Sequence, residues 1–380
     1  MKKILFVTHE AKRSGAPLYL YGLISEFVKF DKFEISVLIQ SNGELEEDFS
    51  KYASIYKYIP DFLRSKSIVI RTLLKILGRN RTLKLYQKNL VKNIDNQNFD
   101  IIYFNSLASF RTFNLLKKLE SKKIVHVHEL EMVIKGFDQA SIETMLRESD
   151  RIISSQRCIS KMLLTTYEID PKKLIENNVF LNPIMQLKID GFEKGKEKAR
   201  FVIGGSGPVE KRKGTDIFID FAIRFLKLHT NLPIDFIWIG NNSSSLYEIL
   251  KNKLKAEGLT DRIFFTGKVT NPEEHFTLLS TFFLSSREEA FGLVALENAY
   301  AGVPLISFNI DGDLPLFINK FKCGSVIEMN DFEAFEKFIL NLYGDGDLLK
   351  EYGRKGKQGV IKEFLVDEQV GKIAKEIISL

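Results

Sequence analysis

Two kinds of hydrophobic pattern alternate along almost the whole chain. Short runs of β-branched and aromatic residues predict strands, and segments whose apolar residues recur every three or four positions predict helices. The predicted strands cover residues 3–8, 33–40, 100–105, 123–128, 151–155, 179–181, 200–204, 234–240, 262–267, 281–285 and 304–308. The clearest helix is predicted over residues 16–30. Because such alternation is typical of parallel sheets flanked by helices, the sequence predicts an α/β fold.

The alternation is interrupted once, by a polar and charge-dense segment without apolar periodicity. We expect an interdomain linker there, over residues 191–198. The chain of 380 residues also exceeds the roughly 250 to 300 at which single cores usually stop growing. We therefore expect a first domain over residues 1–190 and a second over residues 199–365. Residues 366–380 predict a final helix, which we expect at the seam between the domains.

The composition, with 44% hydrophobic and 27% charged residues, is that of a globular protein. Cys158 and Cys323 lie far apart, without the spacing of a metal site or a disulfide framework, which favours a reducing compartment. The first apolar run ends at His9, too soon for a signal peptide. No run approaches the ~18 apolar residues that a spanning helix needs. We expect a soluble, cytoplasmic protein that is not integral to a membrane.

The net charge of +6 is unevenly distributed, because residues 1–190 carry +8 and the remainder −2. Residues 62–94 contain nine Lys or Arg and no acid, interleaved with apolar residues at helical spacing. This pattern suits peripheral contact with an anionic membrane, at its inner face, or with a lipid-linked acceptor. A solvated helix with an ordinary apolar face explains it equally well. No nucleic-acid-binding motif accompanies the charge, so we expect no nucleic-acid partner.

The segment most informative about chemistry is residues 285–306. A strand is predicted to end near Ser285, and a helix to begin near Gly292 after a tight loop. Such a loop lies at the carboxyl end of a parallel strand, where doubly wound sheets bind ligands, and the helix N-terminus suits phosphate. Glu289 and Glu297 would be roughly 12 Å apart along a helix, a span comparable with a sugar diphosphate and ribose. Taken alone, two glutamates fit solvated surface charges as well.

The segment from Glu289 to Glu297, Glu-Ala-Phe-Gly-Leu-Val-Ala-Leu-Glu, is followed by Ala-Tyr-Ala-Gly-Val-Pro. It resembles the motif of two glutamates separated by seven residues in retaining GT-B glycosyltransferases, particularly glycosyltransferase family 4 (group 1). The resemblance implies a GT-B fold, in which two Rossmann-like, doubly wound domains face a cleft. It also implies that Glu289 contacts the donor sugar as a catalytic residue, that the backbone of Phe291 and Gly292 meets the sugar and diphosphate, and that Glu297 holds the ribose hydroxyls.

A glycine-rich, basic turn occupies residues 204–214, between the first strand and the first helix of the second domain. Cations and helix N–H groups could converge there on a diphosphate, although a solvated basic turn fits too. Glu210 stands where a dinucleotide fingerprint needs its third glycine, which argues against NAD. In the resembled family, the lysine matched by Lys213 pairs with the donor phosphates. The family's arginine is absent, with Gly207 at its rough position, and we expect Arg212 to replace it.

Two features of the first domain extend the resemblance. Strand alternation places His126 and His128 on one face, with His128 nearer the carboxyl end. The resemblance assigns His128 as the catalytic histidine that contacts the donor sugar or its phosphate, although a lone histidine is more often structural. The loop of residues 9–17 matches the family's glycine-containing loop beside the transferring sugar, with Gly15 as the matching donor-site residue.

Asp311-Gly-Asp313 looks like the metal-binding Asp-X-Asp of another glycosyltransferase fold, but GT-B enzymes generally use no metal, so we expect no metal and no cofactor beyond the donor. The resemblance implies metal-independent transfer of a hexose-type sugar, with retention, from a nucleotide sugar to a hydroxyl of a glycan or lipid-linked acceptor. Cell-surface polysaccharide or glycolipid assembly is the matching role. Two alternatives stay open: a nucleotide-sugar epimerase or hydrolase, and a catalytically silent GT-B protein that binds nucleotide or glycan.

Overall fold

The structure is a computed structural model that describes residues 1–191 and 200–380. Contacts divide it into two compact units, the first formed by Met1–Phe180 with Val366–Leu380 and the second by Leu181–Leu365. Each unit contains one parallel sheet with its own helices. The predicted α/β class is confirmed.

The first unit contains a seven-stranded sheet. Its strands are β1 (Lys2–Thr8), β2 (Phe33–Ile39), β3 (Ser54–Lys57), β4 (Ile101–Asn105), β5 (Lys122–Val127), β6 (Arg151–Ser154) and β7 (Leu174–Glu176). Its helices up to this point are α1 (Gly15–Phe27), α2 (Glu46–Ser50), α3 (Ile68–Leu77), α4 (Arg79–Asp95), α5 (Phe110–Leu116), α6 (Glu131–Ile134), α7 (Gln139–Glu148) and α8 (Arg157–Thr165). The strand order is β3-β2-β1-β4-β5-β6-β7, so the direction of winding reverses beside β1.

The second unit contains a six-stranded sheet in the order β10-β9-β8-β11-β12-β13. Its strands are β8 (Phe201–Ser206), β9 (Ile234–Ile239), β10 (Ile263–Phe265), β11 (Thr281–Leu284), β12 (Leu305–Phe308) and β13 (Gly324–Ile327). Its helices are α9 (Pro183–Asp190), α10 (Thr215–Leu228), α11 (Ser245–Ala256), α12 (Pro272–Phe276), α13 (Leu293–Tyr300), α14 (Asp313–Phe321), α15 (Phe332–Gly344) and α16 (Gly346–Glu363). Aromatic residues including Phe218, Trp238 and Phe283 form its core.

The chain then returns to the first unit as α17 (Val366–Ser379), which packs against α1. Its apolar face, including Val370, Ile373 and Ile377, is buried. The division of contacts after Phe180 places α9 with the second unit, ten residues before the expected boundary. Apart from Gly191, the expected linker over residues 191–198 lies outside the described residues.

One strand prediction was wrong, and three short strands were not predicted. Residues 179–181 pair with no strand in the part of the chain that the structure describes, and Phe180 packs its ring against Tyr19 instead, 4.4 Å between centroids. The last strand of the first sheet is β7. Like β7, the unpredicted strands β3 and β13 lie at sheet edges. They are only partly buried, so they lack the continuous apolar run of a central strand.

Candidate functional site

The carboxyl ends of β8 and β11 lie side by side, because these strands are parallel neighbours. The strand order reverses at this pair, since β9 lies beyond β8 and β12 beyond β11. Doubly wound sheets bind ligands outside the strand ends at such a point. Two segments form this edge: the β8 loop, residues 207–214, which runs into α10, and the β11 loop, residues 285–292, which runs into α13.

The two loops are joined by hydrogen bonds. The Ser285 hydroxyl donates to the Lys213 carbonyl oxygen at 3.1 Å, and the Arg287 N–H donates to the Arg212 carbonyl oxygen at 2.8 Å. Gly214 has a φ of +66°, and a Cβ atom there would lie 1.8 Å from the Ser285 carbonyl oxygen. The close contact between position 214 and the Ser285 carbonyl oxygen therefore requires glycine. This contact places the start of α10 against the β11 loop.

An ion pair between Lys213 and Glu289 links the same loops, with Nζ in contact with Oε2. Both side chains are largely buried, at 14% and 15% exposed, and the Ser286 hydroxyl donates to the same carboxylate oxygen at 3.4 Å. Burial alone would raise the pKa of Glu289. The Lys213 ammonium, helped by Arg212 and the Ser286 hydrogen bond, outweighs burial and leaves that pKa below its usual value. Glu289 is therefore a carboxylate held by a cation.

Neither Gly214 nor Gly292, which precede α10 and α13, has a side chain that could cap its helix. In α10 the Asp216 carboxylate accepts from the backbone N–H groups of Asp216 and Ile217, whereas the first N–H groups of α13 suit an anion. Gly292, with a φ of +84°, immediately precedes α13. The Phe291 ring is buried between Phe317 and Phe364, at centroid distances of 5.6 and 4.9 Å. These contacts anchor the backbone at Phe291 and Gly292, where the resemblance places the sugar and diphosphate.

Gly207 stands at the rough position of the arginine that the resembled family has and this chain lacks. A Cβ atom at Gly207 would lie 3.2 Å from the Lys213 Cγ, so the lysine stem already occupies the neighbouring space. Arg212 lies on the same loop and pairs with Glu210, with Nη2 and Oε1 3.0 Å apart. The loop thus presents both Lys213 and Arg212 within a few residues of the start of α10.

Sequence reasoning did not identify a second bridge between the loops. The Arg287 guanidinium donates to both carboxylate oxygens of Asp216 in α10, at 2.7 and 2.8 Å. Burial would raise the pKa of Asp216, but Arg287 lowers it below the usual value. The sequence contained one signal for this bridge, namely an arginine shortly after β11 and an acidic residue in the first turn of α10.

Glu297 lies in α13, in a different environment from Glu289. Burial, together with the nearby charge of Glu273, raises the pKa of Glu297 to about 8. Glu273 is itself 3% exposed, and its Oε1 accepts from Lys188 Nζ at 2.7 Å. At neutral pH Glu297 is therefore largely protonated, whereas Glu289 is ionised.

His128, a predicted site residue of the first unit, is linked through Asn105 at the end of β4 to Ala16, the neighbour of the predicted Gly15. The Asn105 amide donates to the Ala16 carbonyl oxygen at 2.8 Å, and its Oδ1 lies 2.9 Å from His128 Nε2. This pattern assigns the proton to Nε2 and leaves Nδ1 as an acceptor. Burial, followed by the charge of His9, lowers the pKa of His128 to about 3. The imidazole is therefore neutral at physiological pH.

His126 packs beside His128, with ring centroids 4.2 Å apart, and is fully buried. The Tyr103 hydroxyl lies 2.6 Å from its Nδ1. Sequence reasoning missed Glu129, whose carboxylate accepts from the Ser106 hydroxyl and, at 3.1 Å, from the His128 N–H. Asn105 and Glu129 thus fix the position of His128 at the carboxyl end of β5.

The Asp311-Gly-Asp313 segment packs against the β11 loop. The Asp313 N–H donates to the Ala290 carbonyl oxygen at 2.7 Å, and a Cβ atom at Gly312 would lie 2.3 Å from the Glu289 carbonyl oxygen. Within residues 1–191 and 200–380, no group of three or more His, Cys, Asp or Glu is arranged to hold a metal ion.

The basic segment over residues 62–94 contains α3 and α4. Large apolar side chains of α3 are exposed, namely Ile68, Val69, Leu73, Ile76 and Leu77. No helix among the described residues is long and apolar enough to cross a membrane. The segment therefore combines a positive charge with an uncovered apolar surface.

Comparison with known proteins adds two findings. The family model described as "Glycosyl transferases group 1" matches residues 188–359. The lipopolysaccharide core biosynthesis mannosyltransferase LpsB of Rhizobium meliloti (strain 1021) is 27% identical over 188 residues, which cover 49% of this chain and 54% of LpsB. The O-antigen biosynthesis glycosyltransferase WclY of Escherichia coli is 23% identical over 338 residues, which cover 84% of this chain and 82% of WclY. The chain thus spans about half the length of LpsB and most of WclY.

Among solved structures, Anabaena HepE in complex with UDP and glucose superposes with a TM-score of 0.79 at 16% identity, over 100% of both chains. At this identity the likeness concerns the fold. The fold is therefore of the GT-B type, with two Rossmann-like units, as the sequence resemblance implied.

Proposed function

We propose that the chain is a retaining, metal-independent glycosyltransferase of group 1, because the model of that family matches residues 188–359. It moves a hexose-type sugar from a nucleotide diphosphate sugar to the hydroxyl of a glycan or lipid-linked acceptor. Its role is in the assembly of a cell-surface polysaccharide or glycolipid, in keeping with the names of LpsB and WclY.

The Lys213–Glu289 ion pair, which joins the loops that lead into α10 and α13, carries this proposal. A diphosphate placed there meets the ammonium, the Arg212 guanidinium and the first N–H groups of α13. These fixed charges stabilise the negative charge that develops on the leaving diphosphate, in place of a metal ion. Glu289 remains ionised beside the cation and accepts hydrogen bonds from the donor sugar.

Glu297 and His128 have the complementary roles that the resemblance suggests. The ribose hydroxyls bind the Glu297 carboxyl, whose raised pKa couples nucleotide binding to pH. His128 contacts the donor sugar as a neutral group, because its pKa is far below neutrality. Its Nδ1 accepts a hydrogen bond from a sugar hydroxyl.

In the transfer step, the bond between the anomeric carbon and the diphosphate oxygen breaks as a bond to the acceptor oxygen forms on the same face. The acceptor proton passes to the departing phosphate oxygen, so no further co-reactant is required. Binding of the acceptor by the protein in the reactive orientation converts the reaction into an effectively unimolecular step.

The exposed apolar surface of α3 favours a position at the inner face of a membrane, where a lipid-linked acceptor would lie. The apolar side chains of α3 enter the interface, and the lysines and arginines of residues 62–94 meet anionic lipid. Replacing Ile68 and Ile76, both exposed, by Ser is expected to leave the melting temperature unchanged and to reduce sedimentation with anionic vesicles. Unchanged sedimentation would remove this part of the proposal.

The donor is tested by thermal shift with UDP, GDP, ADP and their hexose conjugates, for wild type and Glu297→Ala, with and without a chelator. We expect one nucleotide to stabilise the wild type, the variant to respond less, and the chelator to have no effect. The donor so named is then incubated with candidate acceptors, and the anomeric configuration of the product is read by NMR. Absence of stabilisation by any nucleotide favours the silent scaffold, and conversion of the donor without an acceptor favours an epimerase or hydrolase.

A further inference from the structure

The first unit contains a cavity of about 890 Å³ beside the edge strand β3, between α2 and α4. This volume falls in the range of small-molecule sites, roughly 300–1,000 Å³. We name it the α4 pocket, because Tyr86, Asn89, Leu90 and Asn93 line one of its walls. Their spacing of three and four places these residues on a single face of α4. The resemblance assigns none of the lining residues to the donor site.

The α4 wall of the pocket is held in place by packing and a hydrogen bond, and it carries two amide side chains that can bind a ligand. Leu90 is 5% exposed, and the Tyr86 hydroxyl donates to the Lys57 carbonyl oxygen at 2.8 Å, which ties α4 to β3. Asn89 and Asn93 make no side-chain hydrogen bond to any other described residue. Two amides, each both donor and acceptor, are therefore available to a ligand on a braced helix.

The charge of the α4 pocket is opposite to that of the unit around it. Its lining includes the carboxylates of Glu44, Glu46, Glu47 and Asp61 against the single ammonium of Lys57. That ammonium is already in contact with Glu46 and bonded to Asp61 at 2.7 Å. An anionic ligand would meet a lining with more carboxylates than cations, whereas hydroxyl groups would find carboxylate and amide acceptors.

The opposite face of α4 is basic. At 100° per residue, Lys84, Lys88 and Lys92 form a stripe that points away from the pocket wall. One side of α4 therefore carries cations, and the side that faces the pocket is polar and borders acidic residues. An anionic surface is attracted to the stripe and not to the pocket.

We propose that the α4 pocket binds an uncharged saccharide portion of the acceptor through Asn89, Asn93 and Glu47. The amides exchange hydrogen bonds with sugar hydroxyls, the carboxylate accepts from them, and the partly exposed Tyr86 ring packs against the apolar face of a sugar ring. The acidic lining selects against uronic acids and phosphorylated sugars. The identification of this ligand as part of an acceptor rests on the proposed transferase function.

Saturation-transfer NMR on the full chain, without nucleotide, tests this assignment with maltotriose, mannotriose, chitotriose and trigalacturonate as probes. We expect at least one neutral trisaccharide to bind and trigalacturonate not to bind. Asn89→Ala/Asn93→Ala should weaken binding at least about tenfold, since two hydrogen bonds are lost. Asn80→Ala, the same change on α4 outside the pocket, should leave it unchanged. Neither variant should melt below the wild type, because all three asparagines are exposed and alanine has the higher helix propensity.

The proposal is overturned if no neutral trisaccharide binds, if binding survives the double substitution, or if trigalacturonate binds as well as the neutral probes. Nucleotide-induced thermal stabilisation is measured separately and depends on residues of the second unit. In the wild type, absence of saccharide binding with intact nucleotide binding refutes the α4 pocket alone, and saccharide binding without nucleotide binding refutes the donor site alone.

Discussion

Individual side chains set the chemistry of the second unit through their protonation states. Glu289 and Glu297 lie eight positions apart, yet Lys213 holds the first ionised while burial and Glu273 keep the second largely protonated. The motif alone does not distinguish these states, because Glu273 and Lys213 reach the two glutamates only through the tertiary fold. The spacing of the glutamates was readable from the sequence, whereas their electrostatics required the structure.

The Lys213–Glu289 pair should contribute to stability as a coupled unit. Lys213→Ala leaves a largely buried carboxylate without its cation, and we expect a loss of about 2–3 kcal/mol in the free energy of unfolding, since such a charge is costly to leave unpaired. In Lys213→Ala/Glu289→Gln the loss should be smaller. Urea unfolding of wild type, both single variants and the double variant measures the coupling, and purely additive effects would contradict it.

Glu297 predicts a dependence of stability on pH. Its pKa of about 8 in the folded chain exceeds the ordinary value of 4.5, so folding favours its protonated form. The resulting stabilisation is complete below pH 4.5 and is lost as the pH rises through 8, by on the order of 3–5 kcal/mol. Relative to wild type, Glu297→Gln should therefore become increasingly stable between pH 5 and pH 9. A constant difference between the two unfolding curves across this range would show that Glu297 does not titrate as stated.

At the scale of elements, the parallel strands bring two loops together that are distant in sequence. Most central strands were predictable because both faces are buried and the sequence runs apolar throughout. The edge strands β3, β7 and β13 were not, since one side is open and their residues are only partly buried. The apposition of the β8 and β11 loops followed from strand order, which only the sheet reveals.

Gly214 should be indispensable for this apposition. Gly214→Ala forces a side chain into a positive φ and into the Ser285 carbonyl oxygen, which the two loops can relieve only by separating. Gly258→Ala is the matched control, because its φ is +68° and nothing lies within 4 Å of the added Cβ. We expect a loss of about 1 kcal/mol for Gly258→Ala and at least about twice that for Gly214→Ala.

Thermal unfolding and nucleotide titration of both variants check the comparison. Gly214→Ala should weaken nucleotide binding, and Gly258→Ala should not. Equal losses of stability in the two variants would mean that backbone conformation alone, and not the contact between the loops, makes Gly214 necessary.

At the scale of the molecule, each unit has its own sheet and core, but only the second is continuous in sequence. The first unit recruits α17, whose apolar residues pack against α1. The sequence predicted this helix but not its partner, because an amphipathic pattern shows that a face is buried and not what covers it.

This arrangement predicts different behaviour for fragments. A fragment of residues 181–365 should fold alone and melt cooperatively, whereas residues 1–180 should not, because α1 loses its cover. Joining residues 366–380 to the latter fragment through a flexible linker should restore a cooperative melt. Circular dichroism melts measure both outcomes, and a stable fragment of residues 1–180 would show that α17 is dispensable.

The central claim is that the β8 and β11 loops bind the diphosphate of a nucleotide sugar. Calorimetric titration of the same nucleoside as its monophosphate and its diphosphate, into wild type and Lys213→Ala, tests it most directly. We expect the diphosphate to bind wild type at least about tenfold more tightly than the monophosphate, and this preference to disappear in the variant. Equal affinities of wild type for the two nucleotides, or a preference that survives the loss of Lys213, would contradict the account.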